Sequence, residues 1–438
     1  KINKFNLNNI DLLSALILLM PTFIIIGNLS INLSCFIIIV LGLIKYFEII
    51  KVQFKFYKIH ILFLLIFFLI NILFSSDYFL SLKGSLGLIR YIILSIIMFS
   101  WFKDNNKNFK LFLFSTLVTI LILSGSVFYE YIKINLTIGE ALYPRLSGLF
   151  FDEKVAGSFI SKFLIISLTF FLIDFKKYNF DNSKKSFLIA VPYFAVFLSL
   201  DRMPLIMLTI SILFFLLFTK KIKFYLKLRD LAVILIFISL AFKFTPSIQA
   251  KYIYTFKQLG LNSLVEFFVP VKEVKNSKIK NLINDFDPDS SFYKTKWASH
   301  FITAYEMGKN SFIVGNGIKT FRKDCGKDLF VSKKYNQGPI HLRCATHPHN
   351  IYFELFSETG ILGLFLFLYL NFLVIKKIFL TKKYEEKIIT LCFTIILFFP
   401  FQTTGSYFST FNGIFYFINL AVIAFISSDK FFKMKNIR

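Results

Sequence analysis

The chain has 438 residues, 56% of them hydrophobic and only 17% charged, with a formal net charge of +26. A soluble globular chain carries about 25% charged residues, and here the apolar residues come in long unbroken blocks, which excludes a single water-soluble core. A soluble protein this basic would point to nucleic acid, but no RNA- or DNA-binding motif is present, and basic loops beside membrane spans account for the charge.

A run of about 18 or more apolar residues reads as a transmembrane helix. On that rule the sequence predicts an all-α polytopic membrane protein with about twelve spans. They lie near 11–27, 30–47, 59–76, 84–102, 109–130, 155–174, 184–200, 203–218, 229–244, 350–374, 386–402 and 408–428. The first span is expected to act as an uncleaved anchor. The 61 Phe residues accompany abundant Ile, Lys, Asn and Tyr, a pattern that suits an AT-rich genome, and they carry no functional weight. No internal repeat is evident.

The loops divide into two sets. One is short and basic: Lys51, Lys55 and Lys58, then Lys103, Lys107 and Lys110, then Lys176, Lys177, Lys184 and Lys185. It continues with Lys220, Lys221, Lys223, Lys227 and Arg229, then Lys376, Lys377, Lys382 and Lys383, and ends with Lys430, Lys433, Lys435 and Arg438. Such loops are cytoplasmic, so both termini are expected inside. The outer set is 76–83, 131–154, 201–202, 245–349 and 403–407.

The domain reading follows: spans one to nine over 1–244, a long outer loop over 245–349, and the last three spans with a tail over 350–438. A connection of about 100 residues is usually functional. Within it, Trp297 to Met307 reads as an amphipathic helix, with Trp297, Phe301, Ala304 and Tyr305 at helical spacing. Gly315, Gly317 and Phe321 suggest a turn after it. Cys35 and Cys392 lie in apolar stretches, whereas Cys325 and Cys344 lie in this loop, where an oxidising compartment permits a disulfide.

Three clusters share the outer side in this topology. The first is Pro144-Arg145-Leu146-Ser147-Gly148 with Asp152-Glu153-Lys154. The second is Asp201-Arg202-Met203-Pro204. The third is Cys344-Ala345-Thr346-His347-Pro348-His349-Asn350, leading into Glu354, Glu358, Gly360 and Gly363. Arg202 sits between apolar runs, where an arginine is costly and a functional candidate by default, although a snorkelling interface residue reads the same way. A guanidinium fork suits the oxygens of a lipid diphosphate. Arg145 reads likewise, or as a solvated loop residue. Asp152 and Glu153 could pair with it, contact acceptor hydroxyls, or favour a helix N-terminus.

A histidine at the water–lipid boundary can serve as a general base. The plain alternative for His347-Pro348-His349 is a helix entry capped by Asn350. A metal reading of His341, His347 and His349 lacks a clear third carboxylate. Gly360 and Gly363 read as packing sites between helices. Asp285, Asp287 and Asp289 read as a solvated acidic turn, because the glycine and distal Glu of a calcium loop are missing. No nucleotide fingerprint appears.

His349-Asn350, nine residues, then Gly360-Ile361-Leu362-Gly363 resembles the signature of the O-antigen ligase and polymerase superfamily. The segment from Ala304 to Phe321 resembles the stretch that precedes it in many members. Arg145 with Gly148, and Arg202 before an apolar run, resemble the two outer arginines of the family. One departure is Ile206, where the second arginine motif often has Leu.

The resemblance implies a GT-C-like, metal-independent inverting glycosyltransferase in a bacterial inner membrane, with its site facing the periplasm and no cofactor. The donor would be a glycan on undecaprenyl diphosphate. Arg145 and Arg202 would hold the diphosphate, His349 would activate the acceptor, and His347, Asp152 and Glu153 would orient it. Cys325 and Cys344 would pin the loop by a disulfide. The motif spacing is the ligase pattern, with lipid A–core as acceptor, and a polymerase extending a lipid-linked chain is the alternative. A flippase or transporter is disfavoured, because inverted repeats with midplane sites are expected there.

Overall fold

The computed structural model describes residues 11–56, 58–138, 145–169, 182–220, 222–244, 252, 296–335, 337–381, 383–403 and 405–428. Pro144, Lys176, Lys177, Lys221, the Asp285, Asp287 and Asp289 run, Lys382, Lys430, Lys433, Lys435 and Arg438 lie outside the described residues. The chain forms two compact units, Lys1–Ser115 with Lys296–Arg438, and Thr116–Thr295.

Apolar runs become helices because lipid offers the backbone no hydrogen-bond partner, and a helix satisfies every N–H within the segment. Each of the twelve expected spans overlaps a helix among the described residues. In the first unit these are α1 (Leu12–Ile26), α2 (Asn28–Phe56), α3 (Lys58–Leu73) and α4 (Tyr78–Asp104). Helix α5 (Asn106–Ile138) runs from the first unit into the second, which also holds α6 (Ala156–Leu168), α7 (Asn182–Leu198), α8 (Arg202–Phe218) and α9 (Phe224–Phe244). The first unit resumes with α10 (Lys296–Asn310) and the single turns α11 (Phe321–Asp324) and α12 (Ile340–Arg343). It ends with α13 (Ile351–Leu380), α14 (Tyr384–Phe398) and α15 (Thr410–Ile426).

Four of the described helices are long and apolar enough to cross a membrane: Asn28–Val52, Tyr78–Asp104, Lys107–Ile134 and Ile351–Leu380. Others, such as α1, α3, α8 and α15, are apolar but shorter. On α2, Leu29, Leu33, Phe36, Val40, Ile44 and Phe47 recur every three or four residues and are all exposed. A continuous apolar stripe of this length is stable against hydrocarbon and unstable against water.

In the first unit α4 packs against α15, α2 and α3. Its inner face buries Tyr91, Leu94, Ile97, Met98, Trp101 and Phe102. Phe102 and Phe109 both meet Phe425, with ring centroids 5.5 and 4.7 Å apart. Helix α10 packs against α13 and α12. Ala304, Met307, Phe321, Cys325 and Phe330 form a small core there, with Cys344 and Phe353 against it. Cys325 and Cys344 are disulfide-bonded, with Cα atoms 5.3 Å apart.

Helix α13 is not continuous, as a span over 350–374 would be. It breaks at Gly360, whose φ is 63° and ψ −167°. The freed amides of Ile361 and Leu362 donate to the carbonyls of Phe312 and Ile313 at 2.8 and 3.2 Å. In return Asn316 and Gly317 donate to the carbonyls of Ser357 and Glu358 at 3.0 and 2.9 Å. The turn at Gly315 is thereby stitched onto the break. A Cβ at Gly360 would lie 2.4 Å from the Ile313 carbonyl oxygen, so this glycine packs against backbone rather than against a neighbouring helix.

In the second unit α6 packs against α7 and α8, and α7 against α9. Tyr252 donates its hydroxyl proton to the Phe197 carbonyl at 3.0 Å and stacks on that ring.

Candidate active site

The histidine segment is positioned from both ends. Asn350 caps α13 and accepts from the amides of Tyr352 and Phe353 at 2.9 and 3.2 Å. Its side-chain Nδ2 donates to the Pro400 carbonyl at 2.7 Å, which ties the helix start to the turn after α14. One turn on, the buried Glu354 accepts from the Ser406 hydroxyl and, at 2.7 Å, from the Tyr407 amide. After a further turn, buried Glu358 accepts from the amides of Lys319 and Phe321 at 2.6 and 3.2 Å. Asn350, Glu354 and Glu358 thus fasten loops to one helix.

With the helix start fixed, His349 takes a φ of 60°. That region is sparsely used by residues other than glycine and is held only where the surroundings over-determine it. Its ring centroid is 4.1 Å from that of His347, 5.3 Å from His300 in a stacked arrangement, and 4.9 Å from Trp297 edge to face. Nδ1 of His347 lies 2.9 Å from the Thr346 hydroxyl. The Lys296 ammonium sits over the Trp297 ring at 5.1 Å.

His300 is a residue that sequence reasoning missed. It is buried on α10 and hydrogen-bonds the Cys344 backbone. Burial first, and then the Lys296 charge, hold its pKa below the ordinary 6.5. The signal was present in the sequence, because a histidine three residues after Trp297 falls on the same face of the amphipathic helix.

The arginines belong to the second unit. Arg145 forms an ion pair with Asp201 and donates to the Lys154 carbonyl at 2.7 Å. Asp201 is buried and also accepts from the Ser158 amide at 3.1 Å. Leu146 donates its amide to the Ser199 carbonyl at 3.1 Å. The corner is tight: Leu200 has a φ of 61°, and a Cβ at Gly157 would stand 2.3 Å from the Ser199 hydroxyl. Arg202 follows at the first turn of α8, within electrostatic range of Arg145.

Glu130, near the end of α5, accepts from the amides of Ser147 and Gly148 at 3.0 and 2.7 Å and so holds the turn that carries Arg145. Its only sequence signal is a carboxylate closing an apolar run. Asp152 and Glu153 stand exposed in the turn before α6. The unit therefore offers two guanidinium groups at a helix start, one anchored by a buried carboxylate. The first unit offers an imidazole in an aromatic and histidine setting at another helix start.

Residues 186–368 match the family model described as O-Antigen ligase. The match supports the O-antigen ligase and polymerase superfamily, whose members are glycosyltransferase-like enzymes. It includes Arg202, His300, His347, His349, Gly360 and Gly363, while Arg145 lies before it. No curated protein matches the chain at a significant level.

Proposed function

We propose that this chain is a membrane glycosyltransferase of the ligase type. It moves a glycan from undecaprenyl diphosphate to a hydroxyl of lipid A–core, or of a similar acceptor, on the periplasmic face of the inner membrane. The observation that carries this reading is His349. Its ring is held in a strained backbone conformation beside His347, His300 and Trp297, at the capped start of the apolar α13. Strain of this kind gathers at functional sites.

In the proposed reaction the acceptor oxygen bonds to the anomeric carbon as the bond from that carbon to the diphosphate oxygen breaks. The acceptor proton passes to His349. Undecaprenyl diphosphate leaves with the bonding pair, and attack opposite to it inverts the anomeric centre. Arg145 and Arg202 are assigned to the diphosphate, where fixed guanidinium charge stabilises the leaving group. The Arg145 ion pair with Asp201 supports pre-organisation of that role. His347, Asp152 and Glu153 are assigned to acceptor orientation, and no metal takes part. Twelve GT-C-like spans, with both termini in the cytoplasm, belong to the same proposal. The spacing from His349-Asn350 to Gly360 and Gly363 favours a ligase over a polymerase.

The test is a lipopolysaccharide gel paired with lipid-carrier analysis in a deletion strain complemented by wild type, His349→Ala or Arg202→Ala. A ligase leaves long glycan on undecaprenyl diphosphate and bare lipid A–core when deleted, and neither variant restores transfer. Single repeat units on lipid A–core identify a polymerase instead. Activity near wild type in either variant defeats the residue assignment.

A further inference from the structure

On α4, Phe79, Leu82, Lys83, Leu86, Gly87 and Arg90 recur at helical spacing and share one face. Phe79, Leu82 and Leu86 are 65%, 40% and 57% exposed, which marks this face as one that meets lipid. Arg90, inside the expected span 84–102, is costly on such a face and calls for a reason, while Lys83 stands near the outer end of the helix. A Cβ at Gly87, between the two cations, would meet no atom within 4 Å. The stripe therefore has a notch in it. One turn away, a Cβ at Gly84 would lie 3.5 Å from Cγ of Lys319, so the Lys319 stem crosses α4 beside the notch.

Lys319 has a φ of 67°, in the left-handed region that costs a lysine energy. The bond from its amide to Glu358 fixes it there. Burial first, then Arg322, Lys83 and Arg90, hold its ammonium below the ordinary value, and Glu358 acts the other way. The neighbouring acids make their short contacts elsewhere, although buried Glu354 acts on Lys319 and Arg322 through space. Glu358 accepts from two backbone amides, Asp77 pairs with Lys323 at 2.9 Å, and Asp324 pairs with Lys327 at 2.5 Å. Among the described residues none of Lys83, Arg90, Lys319 and Arg322 forms an ion pair. Arg90 donates from Nη2 to the Tyr91 hydroxyl at 2.5 Å, but its Nε is buried with no hydrogen-bond partner among the described residues. A fold that gathers four cations against their mutual repulsion, and leaves a buried guanidinium N–H unpaired, is fitted to an anion.

We infer that Lys83, Arg90 and Lys319 bind the terminal phosphate of a lipid in the notch at Gly87, with Arg322 adding charge and the Phe79–Leu82–Leu86 stripe carrying the acyl chains. This site uses none of the arginines assigned to the donor diphosphate. It rests on the membrane part of the reading above and not on the transfer chemistry. A phosphomonoester offers more charge and more acceptor oxygens than a diester, and convergent lysine and guanidinium donors select for both.

The experiment uses the purified full-length chain in phosphatidylcholine nanodiscs, titrated by calorimetry with short-chain phosphatidic acid, short-chain phosphatidylglycerol and inorganic phosphate. Phosphatidic acid is expected to bind saturably. Lys319→Gln and Arg90→Gln should each weaken it about tenfold or more, the loss of one charge-assisted hydrogen bond. Lys83→Gln, at an exposed position, keeps the test available if Arg90→Gln fails to fold. Inorganic phosphate binding as tightly as the lipid supports the anion site and moves its source to free phosphate. Equal binding of the diester lipid overturns the inference. So does unchanged binding of phosphatidic acid in Lys83→Gln and Lys319→Gln. No glycan enters the measurement, so its failure and the failure of the transferase reading are separate results.

Discussion

An imidazole that takes a proton from an acceptor must already point where that hydroxyl arrives, and His300 stacks on the ring proposed to do so. His300 is therefore expected to be a positioning residue. His300→Ala should lower kcat by about ten- to a hundredfold, the scale of a misplacement near 1 Å, with little change in KM. His300→Phe, which restores a flat ring, should recover part of the loss. A kcat equal to wild type in His300→Ala sinks the role. The same residue predicts a pH effect. Its folded pKa lies below 6.5, through burial and then Lys296, so the unfolded chain binds more protons. Its contribution to stability is present above about 6.5 and is lost as pH falls through the folded value. Thermal unfolding should thus shift downward on acidification below about pH 6.5, and less so in His300→Gln. Identical pH profiles for the two proteins would contradict this. At this scale the sequence displayed His349, Arg145 and Arg202 because each breaks an apolar or loop pattern. It concealed Asp201 as a partner for Arg145, and Glu130 as the clamp on Ser147 and Gly148, because neither contact lies within one element and no local period announces it.

Gly360 shows what pattern alone leaves out at the scale of an element. Hydropathy runs through it unbroken, and the apolar period gives no sign that Ile361 and Leu362 hand their amides to Phe312 and Ile313. That exchange depends on a turn some 45 residues earlier in the chain, which only the fold brings near. Gly360→Ala must adopt a positive φ and push a methyl group onto backbone. It should cost about 1–3 kcal/mol from the dihedral strain alone, read as a lower unfolding temperature in detergent. Gly125→Ala on α5, where a Cβ meets nothing within 4 Å, should be tolerated. Equal stability of the two variants would mean that the break at Gly360 is dispensable. The disulfide makes a parallel case. Cys325 and Cys344 are 19 residues apart, and closing a loop of that size restrains the unfolded chain by about 3 kcal/mol. A Cys325→Ser, Cys344→Ser protein should unfold at correspondingly lower denaturant and be cut faster by protease between 325 and 344. Wild-type resistance would show that the small core of Ala304, Met307, Phe321 and Phe330 suffices without the bond.

For the molecule as a whole, helix existence was legible from composition and run length, since lipid leaves a spanning segment little choice but a helix. The division into two compact units was not, because hydropathy reports burial in an apolar medium and says nothing about which helices pack together. Orientation depends on charge alone. Lys103, Lys107 and Lys110 flank the junction of α4 and α5, whereas 76–83 at the other end of α4 carries only Asp77 and Lys83. The positive-inside rule acts on short loops of this kind. The α4–α5 junction is therefore expected in the cytoplasm, and the segment with Asp77, Lys83, Lys323 and His349 outside it. Truncations fused to a fluorescent protein should fluoresce when joined after Asn105, and fusions to an alkaline phosphatase should be active when joined after Asp77. The reverse pattern would place His349 on the cytoplasmic face, out of reach of any acceptor in the periplasm. It would remove the transferase reading while leaving the phosphate site on α4 to be judged by its own titration.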